Sequence, residues 1–215
     1  FLTIVLGLAG VAGWTGMRTW AAWQGLPLKP EEAAQLPASE LAERGERANR
    51  WDPQSPVLAA LLGDAYRLKL IEAQFGSGKG KVSAEEMARL GERSIFWYGE
   101  GEKRSPLDDT FYIRRATVLD LQGKFEEAEP LYLRGLQMRP FAKYPNLTYG
   151  NHLARKGDYA GARKSFEKVL SLEKGSEIHD PETFAEAQKM LDWVKERIAG
   201  GAGKGQPARL NPRED

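Results

Sequence analysis

The run Gly76-Ser77-Gly78-Lys79-Gly80-Lys81 is the first place to look for chemistry, since glycine-rich loops ending in lysine can cradle a phosphate on backbone N–H groups. That use needs a glycine five residues before the Gly-Lys pair and a Ser or Thr after it. For Gly80-Lys81 the first place holds Phe75 and the residue after is Val82, and for Gly78-Lys79 the first place holds Ala73. The run therefore reads as a basic surface loop that could touch an acidic partner or lipid headgroups. His152 and His179 are the only histidines. Neither has a second His or a carboxylate at helical ligand spacing on the same face, so no metal site and no cofactor are expected. Asp108-Asp109 reads as the cap of the following helix rather than a metal–nucleotide ligand pair. Asn146-Leu147-Thr148 matches a glycosylation sequon by pattern alone and falls inside a predicted helix. Local sequence suggests no Ser/His/Asp set, and the absence of cysteine removes a thiol nucleophile and disulfides. No catalytic constellation is expected in this chain.

The bulk numbers point the same way. At 215 residues the chain can bury one medium-sized core with an appendage. Lys+Arg is 31 and Asp+Glu is 30, which argues against a nucleic-acid partner, for which a basic excess or stripe is the usual footprint. The two signs are interspersed, as in Glu43-Arg44-Gly45-Glu46-Arg47, the pattern of solvated helix faces.

Phe1 to Met17 holds no charged residue. A spanning helix needs about 20 apolar residues, and this run reaches that length with Thr19–Trp23 or with a short upstream extension. Trp14, Trp20 and Trp23 fall where an interfacial aromatic belt would sit, and Arg18 could snorkel to the headgroups. Residues 1–24 are therefore expected to form one transmembrane helix in the lipid bilayer, with 25–37 as a linker. Gly7, Ala9, Gly10, Ala12, Gly13 and Gly16 provide small-xxx-small spacing, which lets another helix backbone approach closely in lipid. The same composition is common in membrane helices generally, and a signal peptide is a further reading. Orientation stays open, with the extracytoplasmic side the favoured place for the remainder.

The elements behind the chemistry come from a repeat. Gly157-Asp158-Tyr159 with Ala162, Phe166 and Leu170 has a counterpart 34 residues earlier in Gly123-Lys124-Phe125 with Ala128, Tyr132 and Leu136. A further 34 residues back, Tyr98 matches Tyr132, Gly101 matches Gly135 and Ser105-Pro106 matches Arg139-Pro140. Gly63, Ala116 and Gly150 each lie ten residues after Pro53, Pro106 and Pro140. This pattern resembles the tetratricopeptide-repeat (TPR) family, whose 34-residue unit is a helix–turn–helix hairpin. The expected fold is all-α, a TPR-type helical-hairpin solenoid with one N-terminal transmembrane helix. Its repeat region would run over 38–198, as a half-unit 38–53, units 54–106, 107–140 and 141–174, and a terminal helix 181–198 opened by Asp180-Pro181-Glu182. Residues 199–215 read as a flexible tail. The first full unit is about 19 residues too long, the excess lying in a basic insertion at 71–90. Ser83-x-x-Glu86 is a capping box that restarts a helix there, and Pro130 is placed in the first turn of its helix.

The resemblance implies a ligand-facing surface made by the first helix of each hairpin. Carried over by phase, that surface is Asp64, Arg67 and Leu68 (with Val57 and Ala60), then Ile113, Thr117 and Asp120 (with Leu121), then Tyr144, Leu147, Asn151 and Arg155. Members that clamp a C-terminal carboxylate place Lys and Asn on this surface. Here only Asn151 fits, with Asp64 and Thr117 at the equivalent places. A mixed polar and apolar groove suits an extended segment or an amphipathic helix, and the chain's own terminal helix is the other candidate occupant. The expected role is a membrane-anchored scaffold or accessory subunit holding protein partners in a membrane complex. The alternative is a non-catalytic C-terminal TPR region of a bacterial O-antigen ligase- or polymerase-like glycosyltransferase, suggested by Trp20-x-x-Trp23, Arg50-Trp51-Asp52-Pro53 and the absence of an initiator Met.

Overall fold

The computed structural model describes residues 16, 17, 20, 24, 26, 36–76, 82–174 and 180–200. Most of the candidate transmembrane segment, the packing residues Gly7, Ala9, Gly10, Ala12 and Gly13, most of the linker, the loop at 77–81, His179 and the tail from 201 lie outside these residues. Among the described residues no helix is long and apolar enough to cross a membrane. The described elements are helical and fall into two compact units, 1–106 and 107–215.

Unit 1 holds α1 (Ala38–Trp51), α2 (Pro56–Phe75) and α3 (Ala84–Arg104). On α1 the buried face is Ala38, Leu41, Ala42, Gly45 and Ala48. Small residues there bring α2 close: a Cβ on Gly45 would stand 2.8 Å from Leu61 Cδ2 and 2.9 Å from Leu62 Cδ2. Helix α2 starts where Ser55 Oγ accepts from Leu58 N–H (3.3 Å), with Pro56 at the first position, where its missing N–H costs little. Helix α3 starts where Ser83 Oγ accepts from Glu86 N–H at 3.1 Å. A side chain on Gly63 would collide with the Tyr98 ring, which is fully buried, and Ser94 Oγ donates to the Gly63 carbonyl at 2.8 Å. These two contacts fix the α2–α3 spacing. The extra residues of this hairpin mostly lengthen its helices, to 20 and 21 residues. Leu26, ahead of α1, is buried against Ala48 and Leu58.

Unit 2 holds α4 (Asp109–Leu121), α5 (Phe125–Met138), α6 (Lys143–Lys156), α7 (Tyr159–Lys174) and α8 (Pro181–Ala199). Both hairpin turns need a glycine in the left-handed region: Gly123 at φ 74° and Gly157 at φ 85°. Around them, Lys124 N–H reaches Leu119 O (2.9 Å) and Asp158 N–H reaches Leu153 O (2.8 Å). Gly123 and Gly157 N–H groups close the inner rings on Asp120 O and Ala154 O. This pairing is the Schellman arrangement, and it reverses the chain within two residues. Gly150 lies under the Phe166 ring as Gly63 does under Tyr98, and Gly135 lies under Ile113. Asp108 and Asp180 cap α4 and α8 by accepting from Thr110 N–H (3.0 Å) and Thr183 N–H (3.1 Å). The second cap holds the Asp180 carboxyl below its usual range. Helix α8 packs on α7 and α6, adding Ala187, Met190, Leu191 and Val194 to the core of Tyr159, Ala162, Phe166 and Val169.

One expectation is corrected here. Pro130 is not in the first turn of α5 but at its sixth residue, because the helix begins at Phe125 directly after the Gly123 turn. Proline there removes an interior N–H and crowds the Glu126 carbonyl.

Candidate functional site

In unit 1 the first-helix residues form a small ionic group. Asp64 Oδ1 accepts from the Tyr98 hydroxyl (2.7 Å) and from Arg67 Nη2 (3.4 Å), while Leu68 is 38% exposed one turn along. Beside it, the Tyr66 hydroxyl donates to Glu46, and Arg93 donates to both, linking α1, α2 and α3. The Tyr66 hydroxyl holds the Glu46 carboxyl below its usual range, with Arg93 adding to the effect. Burial, then the Glu46 contact, raises the Tyr66 phenol, and the Tyr66 contact raises Arg93.

In unit 2 the expected surface divides. Thr117, Asn151 and Arg155 are half-buried and Tyr144 is exposed, so these four reach the surface. Ile113, Asp120 and Leu147 do not: they are 0%, 5% and 2% exposed. They are therefore removed from the ligand-facing set. The small residues Ala116 and Gly150 let neighbouring helices close over them. Ile113 covers Gly135, and Leu147 joins the core around Phe166.

Asp120 anchors a buried polar network that spacing along a single helix cannot reveal. Its Oδ1 lies 2.8 Å from His152 Nδ1, and its Oδ2 accepts from the Tyr132 hydroxyl at 3.0 Å. Thr117 Oγ1 donates to Ile113 O (3.0 Å) and stands 3.3 Å from the Tyr132 oxygen. A carboxylate oxygen can only accept, so His152 Nδ1 is the donor in this bond. Nε2 has no hydrogen-bond partner, and the ring lies among Phe125, Tyr132 and Tyr149. Burial pushes the Tyr132 phenol well above its ordinary value, with the Asp120 charge adding to it. Asp120, His152 and Tyr132 are sealed from solvent, and they join α4, α5 and α6. Among the described residues no cluster of His, Asp or Glu could hold a metal ion.

At the surface over this network, Asn151 Nδ2 donates to Glu186 Oε1 of α8 at 3.0 Å, while its Oδ1 is buried without a partner. One turn later Arg155 keeps a buried Nε without a partner, and its charge is felt at the Tyr132 phenol. Lys156 bridges Glu129 (2.6 Å) and Glu126 (3.0 Å) of α5, which raise its ammonium to about 12. Burial and the nearby Glu129 raise the Tyr149 phenol. The sequon residue Asn146 is 3% exposed and donates to Pro140 O and Ala142 O, so its amide is not presented for glycosylation. Gly16 has nothing within 4 Å of where a side chain would begin.

No protein-family model matches the chain, and no curated protein sequence matches it. Solved structures do. The fold is similar to that of TTC0263, a thermophilic TPR protein of Thermus thermophilus, with a TM-score of 0.62 at 16% identity over 88% of this chain and 96% of that one. It is similar to human IFIT1, solved as a dimer with PPP-AAAA, with a TM-score of 0.63 at 15% identity over 76% of this chain, which spans 37% of that chain. It is also similar to MamA, with a TM-score of 0.52 at 12% identity over 87% of this chain and 90% of that one. Identities this low speak to fold alone. The chain thus has an all-α helical-repeat fold of the TPR type.

Proposed function

We propose that this chain is a membrane-anchored TPR scaffold or accessory subunit, which holds a protein partner on the first-helix side of its repeats within a membrane-associated assembly. The observation that carries the reading is the Asn151–Arg155 face of α6. There the half-buried side chains of Asn151 and Arg155 and the exposed ring of Tyr144 share one side of the helix above a buried network. Arg155 supplies a half-buried cation, and exposed Tyr144 supplies apolar area. This mixture suits an extended or helical peptide segment. The charge-free run at 1–17 supplies the anchor, and the balance of 31 basic against 30 acidic residues speaks against nucleic acid as the partner.

A photo-crosslinking residue at Tyr144, used in native membranes, tests the reading. One discrete adduct is expected, and Arg155→Glu with Asn151→Ala should reduce it at least about tenfold, the effect of losing about 1.4 kcal/mol of binding. Circular dichroism should show that the helical fold is retained, although loss of the Asn151–Glu186 bond lowers its stability. An adduct that survives both substitutions in the folded chain would remove the α6 face from the interface.

A further inference from the structure

The N-terminal segment joins unit 1 at an identifiable end. Leu26 is buried against Ala48 and Leu58, in the last turn of α1 and the first turn of α2, with Leu61 packed beside them. The start of α2 and the finish of α3 meet at this same end, since Arg104 Nη1 donates to Asn49 Oδ1 (3.4 Å) and to Ser55 O (3.1 Å). Trp20 precedes Leu26 by six residues, a length that spans about 20 Å at full extension. Helix α2, with 20 residues, carries the chain about 30 Å from this end to Phe75. A short tether thus starts from one end of a long unit.

That end has the side chains of a lipid interface. Trp51 is 51% exposed and Val57 is 54% exposed, on either side of the α1–α2 turn. Arg50 is exposed on the last turn of α1, and Arg47, 3.9 Å from Glu43, is exposed just before it. Trp20 is 66% exposed and Met17 is 61% exposed, so the apolar side chains just upstream of the tether are not used up against unit 1. Tryptophan favours the headgroup layer because its ring is apolar and its N–H needs a polar partner. Arginine beside it can pair with lipid phosphate.

We propose that the α1–α2 end of unit 1 rests on the headgroups of the bilayer that holds the apolar segment, with Trp51 in the interfacial layer and Arg47 and Arg50 directed at the phosphates. The inference deepens the membrane-anchored reading and rests on it. The occupant of this surface is lipid, because a tether of about six residues keeps that end beside the membrane at all times.

The absence of cysteine makes the test direct. Single cysteines placed by Gln54→Cys in the turn, and by Glu72→Cys near the far end of α2, carry an environment-sensitive fluorophore. The full chain is reconstituted into phosphatidylcholine–phosphatidylglycerol vesicles containing headgroup spin-labelled lipid. The label at 54 should be quenched several-fold more than the label at 72, and Trp51→Ala should reduce the quenching at 54. Equal quenching at the two positions, or quenching at 54 unchanged by Trp51→Ala, overturns the proposed contact. If the chain meanwhile resists alkaline carbonate extraction, the anchor itself stands. Extraction by carbonate overturns the anchor and the headgroup contact together.

Discussion

At the scale of single residues, two polar networks tie helices together, and one of them is accessible to solvent. Glu46 is partly exposed, and its carboxyl is held below the ordinary 4.5 by the Tyr66 hydroxyl and Arg93. A lowered carboxyl stabilises the fold above the unfolded-state value, and this contribution is lost as pH falls through the folded value. Solvent screens a side chain this exposed, so the contribution is small. Glu46→Gln should therefore be less stable than the parent by roughly 0.5 kcal/mol near pH 7, with the gap closing as pH falls below about 4. Urea unfolding at a series of pH values measures it, and a gap that stays constant to low pH would exclude the charged contact. The Asp120–His152–Tyr132 network was not legible in the sequence, because its members come from three helices. A trace of it exists: one repeat apart, His152 occupies the place of Val118, and Asp120 occupies the place that Ala154 fills. Two polar residues replacing buried apolar ones in adjacent repeats mark a pair, provided that both positions are recognised as facing the same interior.

At the scale of elements, the hairpin contacts were legible because they depend on residue size. Gly63 and Gly150 lie where the Tyr98 and Phe166 rings need room, and the repeat pattern pairs a small residue with an aromatic at those places. Helix starts were legible at Ser83, Asp108 and Asp180, whose side chains cap them, while the Ser55 cap of α2 was missed. The start of α5 was not legible, because Lys124 makes no side-chain cap and the Gly123 turn alone launches the helix. Pro130 is exposed in the interior of that helix. Pro130→Ala should raise stability by about 1–3 kcal/mol, by restoring an interior N–H donor to the Glu126 carbonyl. Calorimetry should show a higher melting temperature; an unchanged or lower one would mean that tertiary packing requires the local bend.

At the scale of the molecule, a repeat unit has to stop somewhere. Helix α8 ends unit 2 by burying Ala187, Met190, Leu191 and Val194 while exposing Glu182, Asp192, Glu196 and Arg197. A polar outer face of this kind is what the closing helix of a repeat stack needs for solubility. A chain truncated after Lys174 should lose on the order of 5 kcal/mol of burial from unit 2, bind a hydrophobic dye and melt at a lower temperature. Retention of the parent melting curve would mean that α8 is not a closing element. The ligand-facing residues were less legible than the fold, since repeat phase identifies a helix face without saying how deeply neighbouring helices bury it. Ile113, Asp120 and Leu147 show the difference.

The Schellman turns at Gly123 and Gly157 have a consequence for how the chain is made. By returning the backbone within two residues, they let each helix of unit 2 meet a neighbour that was synthesised just before it. The bonds that cross from one layer to the next stay short in sequence, 32 residues for His152 to Asp120 and 35 for Asn151 to Glu186. A nascent chain leaving the ribosome can therefore lay down each layer on a finished one, with little apolar surface waiting for a distant partner. Within unit 2, α8 emerges after the hairpins it packs on, so its apolar face meets a core that is already laid down.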